Sequence, residues 1–598
     1  MFTRKPTPSR RSFRPSAEGL ETRRVLSSFS TIPTASVSGT DIDGDRWTLT
    51  LYGPGTINVV DGEGAAFTSA NAEVPNLINT ITVAGTVTSR SRLIGSVTPA
   101  AGSDGKVFFQ NMNIQANGAF PQLDRNEANR ISPTAQNGIG LIDAPDFWLG
   151  NTSGAEPTVS SPYHSGFRLA GTITAPEGVN VLKFGGVDVN YTPPGGTPLT
   201  STGQSNEFVI NLGLPVITGT SIIVDSVTTD AGITQGSGTT PDSVNQQSVT
   251  FLVTGRLNLF QANEINGNAE PGMAPTQFDS SGTAASPLAG GTYVVSQSRA
   301  VTGQIGYVRV GGDATNFTTM ALVGDIFTSA PDTLDPKITN FMIGGETNNV
   351  MLIAPGGTRD VSFGRGMDNV VINTEFISHL HANRGAVGST VTASRTIDNM
   401  VMGGDLINSL IQSGYEQTIN ANAVSPGSVF SAGGGAFNGV APPSIIDRNS
   451  NTVAGAELPA AHGGGGINAH IAGNVIDTIV SVSVDPDPSG LNAPGQFETI
   501  GSRRFPFGAP QNVVLPRGII NAKVEGEIDN TGLQFGPSPL VSPDVSPDSA
   551  FFAKQVRITR GAVFPPKVDT APFDRPLRYS KAQDALKGSF RARGPRGL

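Results

Sequence analysis

Apolar and polar residues alternate along three segments of the chain that share one frame, at residues 305–316, 338–349 and 397–408. In each copy an apolar residue is followed by a Gly-Gly pair, an acid, two variable residues and Asn. These glycines and asparagines are Gly311, Gly312, Asn316, Gly344, Gly345, Asn349, Gly403, Gly404 and Asn408. A degenerate copy places Gly364 and Asn369 20 positions after Gly344 and Asn349. A repeat of this length is typical of proteins that stack short structural units.

The alternation predicts strands with one inward face. The Gly-Gly pair permits positive φ at a sharp corner, and we expect the Asn to hydrogen-bond its neighbours or the Asn of the next coil. Parallel crossovers favour a right-handed path. The sequence therefore predicts an all-β, elongated, right-handed parallel β-solenoid (β-helix) with coils of roughly 20 residues and Gly-rich loop insertions.

The pattern of short apolar runs separated by Gly, Asn and Pro extends on both sides of these coils. With changes in composition and charge, it predicts seven regions. They are a basic, disordered leader (1–30), an N-terminal β-repeat region (31–300), the best-patterned coils (301–416), a Gly/Ala-rich loop or insertion (417–465), C-terminal coils (466–535), a Ser-Pro-Asp linker (536–550) and a basic tail (551–598) that is mostly disordered with a short helix at 580–588.

Composition supports strands and turns over helices. Gly and Pro are abundant, with 74 and 43 residues, and only 15% of residues are charged against a usual ~25%. The 30 Phe against 2 Trp predict stacked apolar interiors, because Phe has no polar tip to satisfy. The absence of Cys excludes disulfides and Cys-ligated metal sites.

Charge is unevenly distributed. Residues 1–30 hold seven Lys/Arg against two Glu, and residues 551–598 hold eleven Lys/Arg against three Asp, although the whole chain has a net charge of −9. Basic ends on an acidic body suit contact with an anionic surface, or are solvated tails. No nucleic-acid partner is expected, and no apolar run approaches the ~18–20 residues of a membrane-spanning helix.

Acids at alternate positions, Asp41, Asp43 and Asp45, resemble the start of a calcium loop. An EF-hand requires Glu at its twelfth position, which here is Tyr52, so an acidic turn before a strand is the alternative. Calcium is the one cofactor that the sequence suggests, and none is required.

A β-helix enzyme acting on acidic polysaccharide, a lyase or a glycoside hydrolase, is the alternative function. Its cleft would contain Asp360, Asp368, Glu375, His379, His381 and Arg384. Asn373-Thr374-Glu375 resembles the Asn-Thr-Asp element of polygalacturonases, but the adjacent Asp-Asp, Gly-His-Gly and Arg-Ile-Lys elements are missing. His379 and His381 share one face of a strand, without an evident third metal ligand.

The run Leu20-Glu21-Thr22-Arg23-Arg24-Val25-Leu26 is similar to the LEPR-xLL segment of planctomycete-type extracellular proteins. Thr22 replaces the Pro and Val25 replaces the first Leu of that pattern. In the family this segment precedes Gly-rich β-repeat bodies, so the resemblance implies export. The sequence thus favours an extracellular or cell-surface protein with a structural or adhesive role, no evident catalysis, and surface polysaccharide or other surface proteins as partners.

Overall fold

The computed structural model describes residues 32–115, 138–230, 247–268, 291–298, 304–323, 337–413, 466–482, 519–535 and 556–560, with short breaks at 88–89, 156, 162–166, 197–198, 200–204, 214–218, 355, 394–395, 477, 527 and 530–531. This part of the chain is all-β and contains no α-helix. None of it forms a helix able to cross a membrane.

The first sixteen strands lie before residue 324. They are β1 (Pro33–Thr40), β2 (Arg46–Tyr52), β3 (Thr56–Asp61), β4 (Ile78–Ala84), β5 (Arg92–Thr98), β6 (Val107–Gln115), β7 (Ile139–Leu149), β8 (Phe167–Ala175), β9 (Val179–Asp188), β10 (Ser205–Leu212), β11 (Thr220–Asp230), β12 (Gln247–Thr254), β13 (Arg256–Asn268), β14 (Thr292–Ser298), β15 (Gln304–Val310) and β16 (Ala314–Val323).

Eighteen further strands follow, most of them shorter. They are β17 (Lys337–Ile343), β18 (Thr347–Ala354), β19 (Thr358–Phe363), β20 (Met367–Asp368), β21 (Val370–Thr374), β22 (Ile377–Ala382), β23 (Gly385–Val387), β24 (Thr390–Ala393), β25 (Thr396–Met402), β26 (Asp405–Ile407), β27 (Leu410–Ser413), β28 (Gly466–Ile471), β29 (Val475–Ile476), β30 (Ile479–Val482), β31 (Ile519–Val524), β32 (Ile528–Asp529), β33 (Gly532–Phe535) and β34 (Val556–Arg560).

The strands pair into three parallel ladders. Ladder A consists of β5, β7, β9, β11, β13, β15, β17, β19, β22, β25, β28, β31 and β34. Ladder B consists of β4, β6, β8, β10, β12, β14, β16, β18, β21, β24, β27, β30 and β33. Ladder C consists of the short strands β20, β23, β26, β29 and β32.

The amino-terminal end of the ladders is antiparallel. β1 pairs with β2, and β2 pairs with β5, at the start of ladder A. β3 pairs with β4 at the start of ladder B. The five-residue turn between β1 and β2 suits an antiparallel pair, because parallel neighbours require long crossovers.

The repeat frame stacks in register, as the sequence predicts. Ile305 pairs with Ile338, and Val310 with Ile343. Ile343 then pairs with Phe363 in the degenerate copy, 20 residues on. The expected coil length is wrong further upstream, however. Ile139 pairs with Val179, forty residues away, because β7 and β8 span 11 and 9 residues and are joined by the long connection 150–166, whereas β19 and β21 span six and five residues and lie close together in sequence.

One apolar core runs inside the ladders, from Trp47 to Val524. Phenylalanine rings form a column within it: Phe260, Phe317, Phe341 and Phe363 lie 6.1, 6.2 and 6.0 Å apart between successive ring centroids. This column confirms the expectation of stacked Phe.

The two long ladders differ on their outward faces. On ladder B the outward residues are also buried and form a second apolar cluster: Tyr293, Val295, Met320, Met351, Ile353 and Val371. On ladder A the outward residues of β15, β19 and β22 face solvent, since Tyr307 is 50% exposed and the side chains of Asp360 and His379 are 39% and 59% exposed. The accessible sheet face in this part of the molecule therefore belongs to ladder A.

The Gly-Asn frame works differently from the expectation. The residues with positive φ are the asparagines, Asn316, Asn349, Asn369 and Asn408, with φ between 47° and 60°. Asn is the residue after Gly that best tolerates this region. In addition, Asn349 Nδ2 donates to Asn316 Oδ1 at 2.5 Å, which confirms the predicted contact between coils for this pair. In the next coil Asn369 Nδ2 donates instead to Asn348 Oδ1, at 3.5 Å.

In the second and third copies the Gly-Gly pairs serve close stacking instead, and none of the six frame glycines has the positive φ expected at the corner. A Cβ on Gly404 would collide with the Arg384 carbonyl oxygen of the preceding coil. One on Gly345 would collide with the backbone at Gly312. Glycine is therefore required because the backbones of successive coils approach each other here.

A buried column of hydroxyls lies next to the Asn corner, and sequence reasoning missed it. Ser389 Oγ accepts from Val370 N at 3.1 Å, Ser409 Oγ from Ser389 N at 3.2 Å, and Thr478 Oγ1 from Ser409 N at 3.3 Å. Each hydroxyl thereby satisfies a backbone N–H of the preceding coil, which would be costly to bury unpaired.

The predicted regions map unevenly onto these strands. Ladders A and B continue from β13 and β14 to β15 and β16, across the predicted boundary at residue 300. β34 lies within the predicted basic tail and pairs with β31. The leader 1–30, the insertion 417–465, the linker 536–550 and the short helix 580–588 lie outside the described residues.

Candidate functional site

The acidic motif forms the turn between β1 and β2. Asp41 N donates to Asp45 O at 2.9 Å, and Gly44 N to Asp41 O at 3.2 Å. Asp45 N donates to Asp41 Oδ1 at 2.8 Å. Gly44 has a φ of 98°, which L-residues rarely adopt. The hydrogen bonds of Asp41 and the positive φ of Gly44 are therefore sufficient to explain the turn.

Three carboxylates converge at this turn. One oxygen each of Asp41, Asp43 and Asp45 lies within 4.8 Å of the others, and within the described residues no other group of three His, Asp or Glu side chains meets that distance. Asp41 and Asp45 are buried and Asp43 is exposed. Burial, and after it the Asp43 carboxylate, raises the pKa of Asp41 to about 8.

Asp45 ties the turn to the segment that follows β5. Its Oδ1 accepts from Ala100 N at 2.6 Å and from the Ser103 hydroxyl. Its Oδ2 is buried and has no hydrogen-bond partner in the described part of the chain, although the residue is 0% exposed. Buried carboxylate oxygens are normally paired, bound to a metal ion, or protonated.

An aromatic pair lies within the electrostatic reach of this cluster. The ring of Tyr191 stacks on Phe108 with centroids 3.6 Å apart. Burial, and after it the charges of Asp41, Asp43 and Asp104, raises the pKa of the Tyr191 hydroxyl above its ordinary value. The carboxylates thus increase the cost of a further negative charge nearby.

A second turn, Asp61 to Ala65 after β3, has the same backbone geometry. Asp61 N donates to Ala65 O at 2.9 Å, Gly64 N to Asp61 O at 3.1 Å, and Ala65 N to Asp61 Oδ1 at 2.7 Å. Here Asp61 Oδ2 accepts from Asn76 Nδ2 at 2.9 Å. The position of buried Asp45 is taken by exposed Ala65. The turn itself therefore does not require the third carboxylate.

Two residues of the predicted enzymatic cleft meet on the exposed face of ladder A. His379 Nδ1 lies 3.0 Å from Asp360 Oδ1. Arg359 Nε donates to Asp360 Oδ2 at 2.8 Å. These side chains are 39–60% exposed, and exposed ion pairs of this kind contribute ~0–1 kcal/mol.

The other cleft candidates lie at different positions along the coil. Arg384 Nη1 is 3.7 Å from Glu346 Oε1 at the corner between ladders A and C. Asp368 is on β20, where burial and then Glu346 raise its pKa. Glu375 is buried and directly follows β21, whereas Asn369 of the Asn corner directly precedes that strand.

His381 shares a strand with His379 but differs in environment. Its register partner is Ser362, and burial lowers its pKa. The structure thus joins Asp360 to His379 and places the remaining candidates elsewhere on the coil. A cleft that gathers all six residues stays a prediction.

Sequence reasoning found the three aspartates but missed Ala100 and Ser103, which hold Asp45, and the companion turn at Asp61. The companion was readable as a second Asp-x-acid-Gly run 20 positions after the first. The contact with Ser103 joins residues 58 positions apart, and no local pattern signals it.

Comparison with protein-family models, with curated proteins and with solved structures finds no match to this chain. The class of protein is therefore defined by geometry: an all-β protein whose described strands form long parallel ladders with an antiparallel start.

Proposed function

We propose that the chain is an exported structural or adhesive protein of the cell surface or extracellular matrix, built as an elongated right-handed parallel β-solenoid. The observation that carries the proposal is the continuity of ladder A through thirteen strands. At a strand spacing of ~4.8 Å, such a stack is about 60 Å long.

Side-chain columns along the stack support a scaffold role. The Phe column and the hydroxyl column each repeat one interaction from coil to coil, and the bond from Asn349 to Asn316 joins one further pair of coils. In such arrays each unit contacts its neighbours, and stability is roughly the sum of unit and interface terms. The chain thereby gains length and rigidity together.

The exposed face of ladder A is the proposed contact surface. Tyr307, Asn340, Asp360 and His379 occupy one register column on four successive strands. A planar ring followed by amide, carboxylate and imidazole groups offers stacking and hydrogen bonding along a line. Extended polymers such as surface polysaccharides, or other surface proteins, suit a linear array of this kind.

Export rests on the similarity of Leu20–Leu26 to the LEPR-xLL segment, which lies outside the described residues. The test is protease shaving of intact cells of the source organism, with mass spectrometry of the released peptides. We expect peptides from residues 304–413 before any peptide of a cytosolic marker protein. Protection of these residues until the cells are lysed would overturn the surface assignment.

The structural role has its own test on the purified chain. Small-angle scattering should give a particle with one long dimension, and incubation with pectin and alginate should release no new reducing or unsaturated ends. A compact particle would contradict the solenoid. Product release that is lost in Asp360→Asn would favour the alternative, a carbohydrate-active enzyme.

A further inference from the structure

We propose that Asp41, Asp43 and Asp45 bind one divalent cation of the calcium class, at the turn between β1 and β2. Two observations carry the proposal. The three carboxylates converge within 4.8 Å. The buried Oδ2 of Asp45 has no hydrogen-bond partner in the described residues.

The companion turn shows that the cluster exceeds what the fold needs. Both turns make the same three hydrogen bonds from the same Asp and Gly positions. Where the second turn has Ala65 in solvent, the first buries Asp45 among two other acids. Burying carboxylates together without a counter-charge is unfavourable because they repel each other. A bound cation would attract all three carboxylates and make the cluster favourable.

The neighbouring cation is engaged elsewhere. Arg46 follows Asp45 directly, but its Nη2 lies 2.6 Å from Glu73 Oε2 in an exposed ion pair. Arg46 is therefore not the counter-charge of the three aspartates. A bound metal ion would supply that charge, whereas a proton shared among the carboxylates would leave the stability of the chain indifferent to calcium.

The ligand atoms favour calcium over transition metals. All are carboxylate oxygens, which hard cations prefer, and zinc would favour nitrogen or sulfur ligands. Calcium takes 6–8 oxygens and tolerates irregular geometry, so water can fill the positions on the side of exposed Asp43. Magnesium requires near-octahedral geometry at shorter distances, which three carboxylates from one short turn satisfy less readily.

Binding would brace the amino-terminal end of ladder A. Asp45 contacts Ala100 and Ser103, which follow β5, while Asp41 directly follows the last residue of β1. A cation on these carboxylates would therefore couple the β1–β2 hairpin to the segment after β5. This inference does not depend on the proposed surface role.

The experiment is a titration of the chelator-treated full chain with calcium chloride, in which binding is measured by calorimetry and by tryptophan fluorescence. The only two tryptophans, Trp47 and Trp148, lie close to the site: Trp47 is two residues from Asp45, and Trp148 contacts Phe108, on which Tyr191 stacks. We expect one ion per chain, a calcium-dependent rise in Tm, and weaker binding of magnesium. A Tm that is the same in calcium and in chelator would overturn the proposal, and tighter binding of magnesium would overturn the calcium assignment.

Three variants locate the site. Asp45→Asn and Asp43→Asn should each lower calcium affinity at least tenfold, and Asp43 is exposed, so that variant should fold. Asp61→Asn is the matched control, because it alters the same kind of turn without touching the cluster. It should keep wild-type calcium affinity even if it lowers Tm in chelator. Unchanged calcium affinity in Asp43→Asn and Asp45→Asn would place any bound calcium elsewhere and refute the site.

Discussion

Replacing Phe341 with Ala tests the Phe column most directly. Phe341 is 1% exposed and lies between Phe317 and Phe363, with ring centroids 6.2 and 6.0 Å away. Removing a buried ring from a packed core costs ~3–5 kcal/mol, because the cavity closes only in part. Both ring contacts are lost at once, and such pairs contribute ~0.5–1.5 kcal/mol beyond area burial. We therefore expect a loss of about 4 kcal/mol in local unfolding free energy.

The stacked architecture predicts where that loss should appear. If each coil is stabilised mainly by its neighbours, the effect of Phe341→Ala should be confined to β17 and the strands it contacts, β15, β16 and β19. Hydrogen exchange with mass spectrometry can compare peptides from these strands with peptides from β7 and β9. Tyr307→Ala is the matched control, since it removes a half-exposed ring from the same ladder and should cost less than ~0.5 kcal/mol.

Two results would refute this reasoning. A loss below ~1 kcal/mol for Phe341→Ala would mean that the column is not tightly packed. Equal loss of protection in β7, β9, β17 and β19 would mean that the chain unfolds as one cooperative unit, and that the nearest-neighbour description fails.

Three further perturbations test other features. Asn349→Ala should lower the free energy of urea unfolding by ~1–3 kcal/mol, because a φ of 60° strains Ala and the hydrogen bond to Asn316 is lost. Asn349→Gly should cost less, because Gly adopts this φ without strain. Equal costs for the two variants would contradict a requirement for left-handed backbone at this position. Gly404→Ala should lower the free energy of unfolding by ~1–3 kcal/mol, because the added Cβ forces the coils apart. Gly366→Ala should be nearly neutral, because its added Cβ has no neighbour closer than 3.4 Å. Similar Tm values for the two variants would disprove the close approach at Gly404. Burial holds the pKa of His381 below its unfolded value of ~6.5, so the contribution of this histidine to stability should be complete above that pH and lost as pH falls below it. His381→Gln should therefore flatten the plot of Tm against pH between about pH 5 and 8. An unchanged slope would exclude this histidine as the cause of the pH dependence.

The sequence predicted the register of the repeated coils because identical spacing implies identical pairing, as Ile305 with Ile338 shows. It placed the Gly-Gly pairs correctly but assigned them the wrong role, since a run of two glycines signals either positive φ or close approach. The forty-residue partner spacing near Ile139 was missed because longer strands and the connection 150–166 hide a common period. The antiparallel start of the ladders was equally unreadable, since alternation is the same in both strand directions.

The candidate site was only partly readable. Alternate acids at Asp41, Asp43 and Asp45 indicated oxygen ligands, but burial decides whether they are a solvated turn or a cluster. That burial comes from contacts with Ala100 and Ser103, more than fifty positions away in the sequence. The pairing of Asp360 with His379 likewise depends on coil register, which the period of 19 to 20 residues implies once the strands are known.

The pairing of β19, β22 and β25 has a consequence for how such a chain can change its size. Ile377 and Ile397 occupy one column, so the twenty residues from 377 to 396 form one module. Excising that module would place β25 beside β19 with Ile397 opposite Thr358, and every inward side chain would remain inward. Genetic gain or loss of whole modules therefore preserves the core, which makes molecular length a trait that can vary without redesign of the interior.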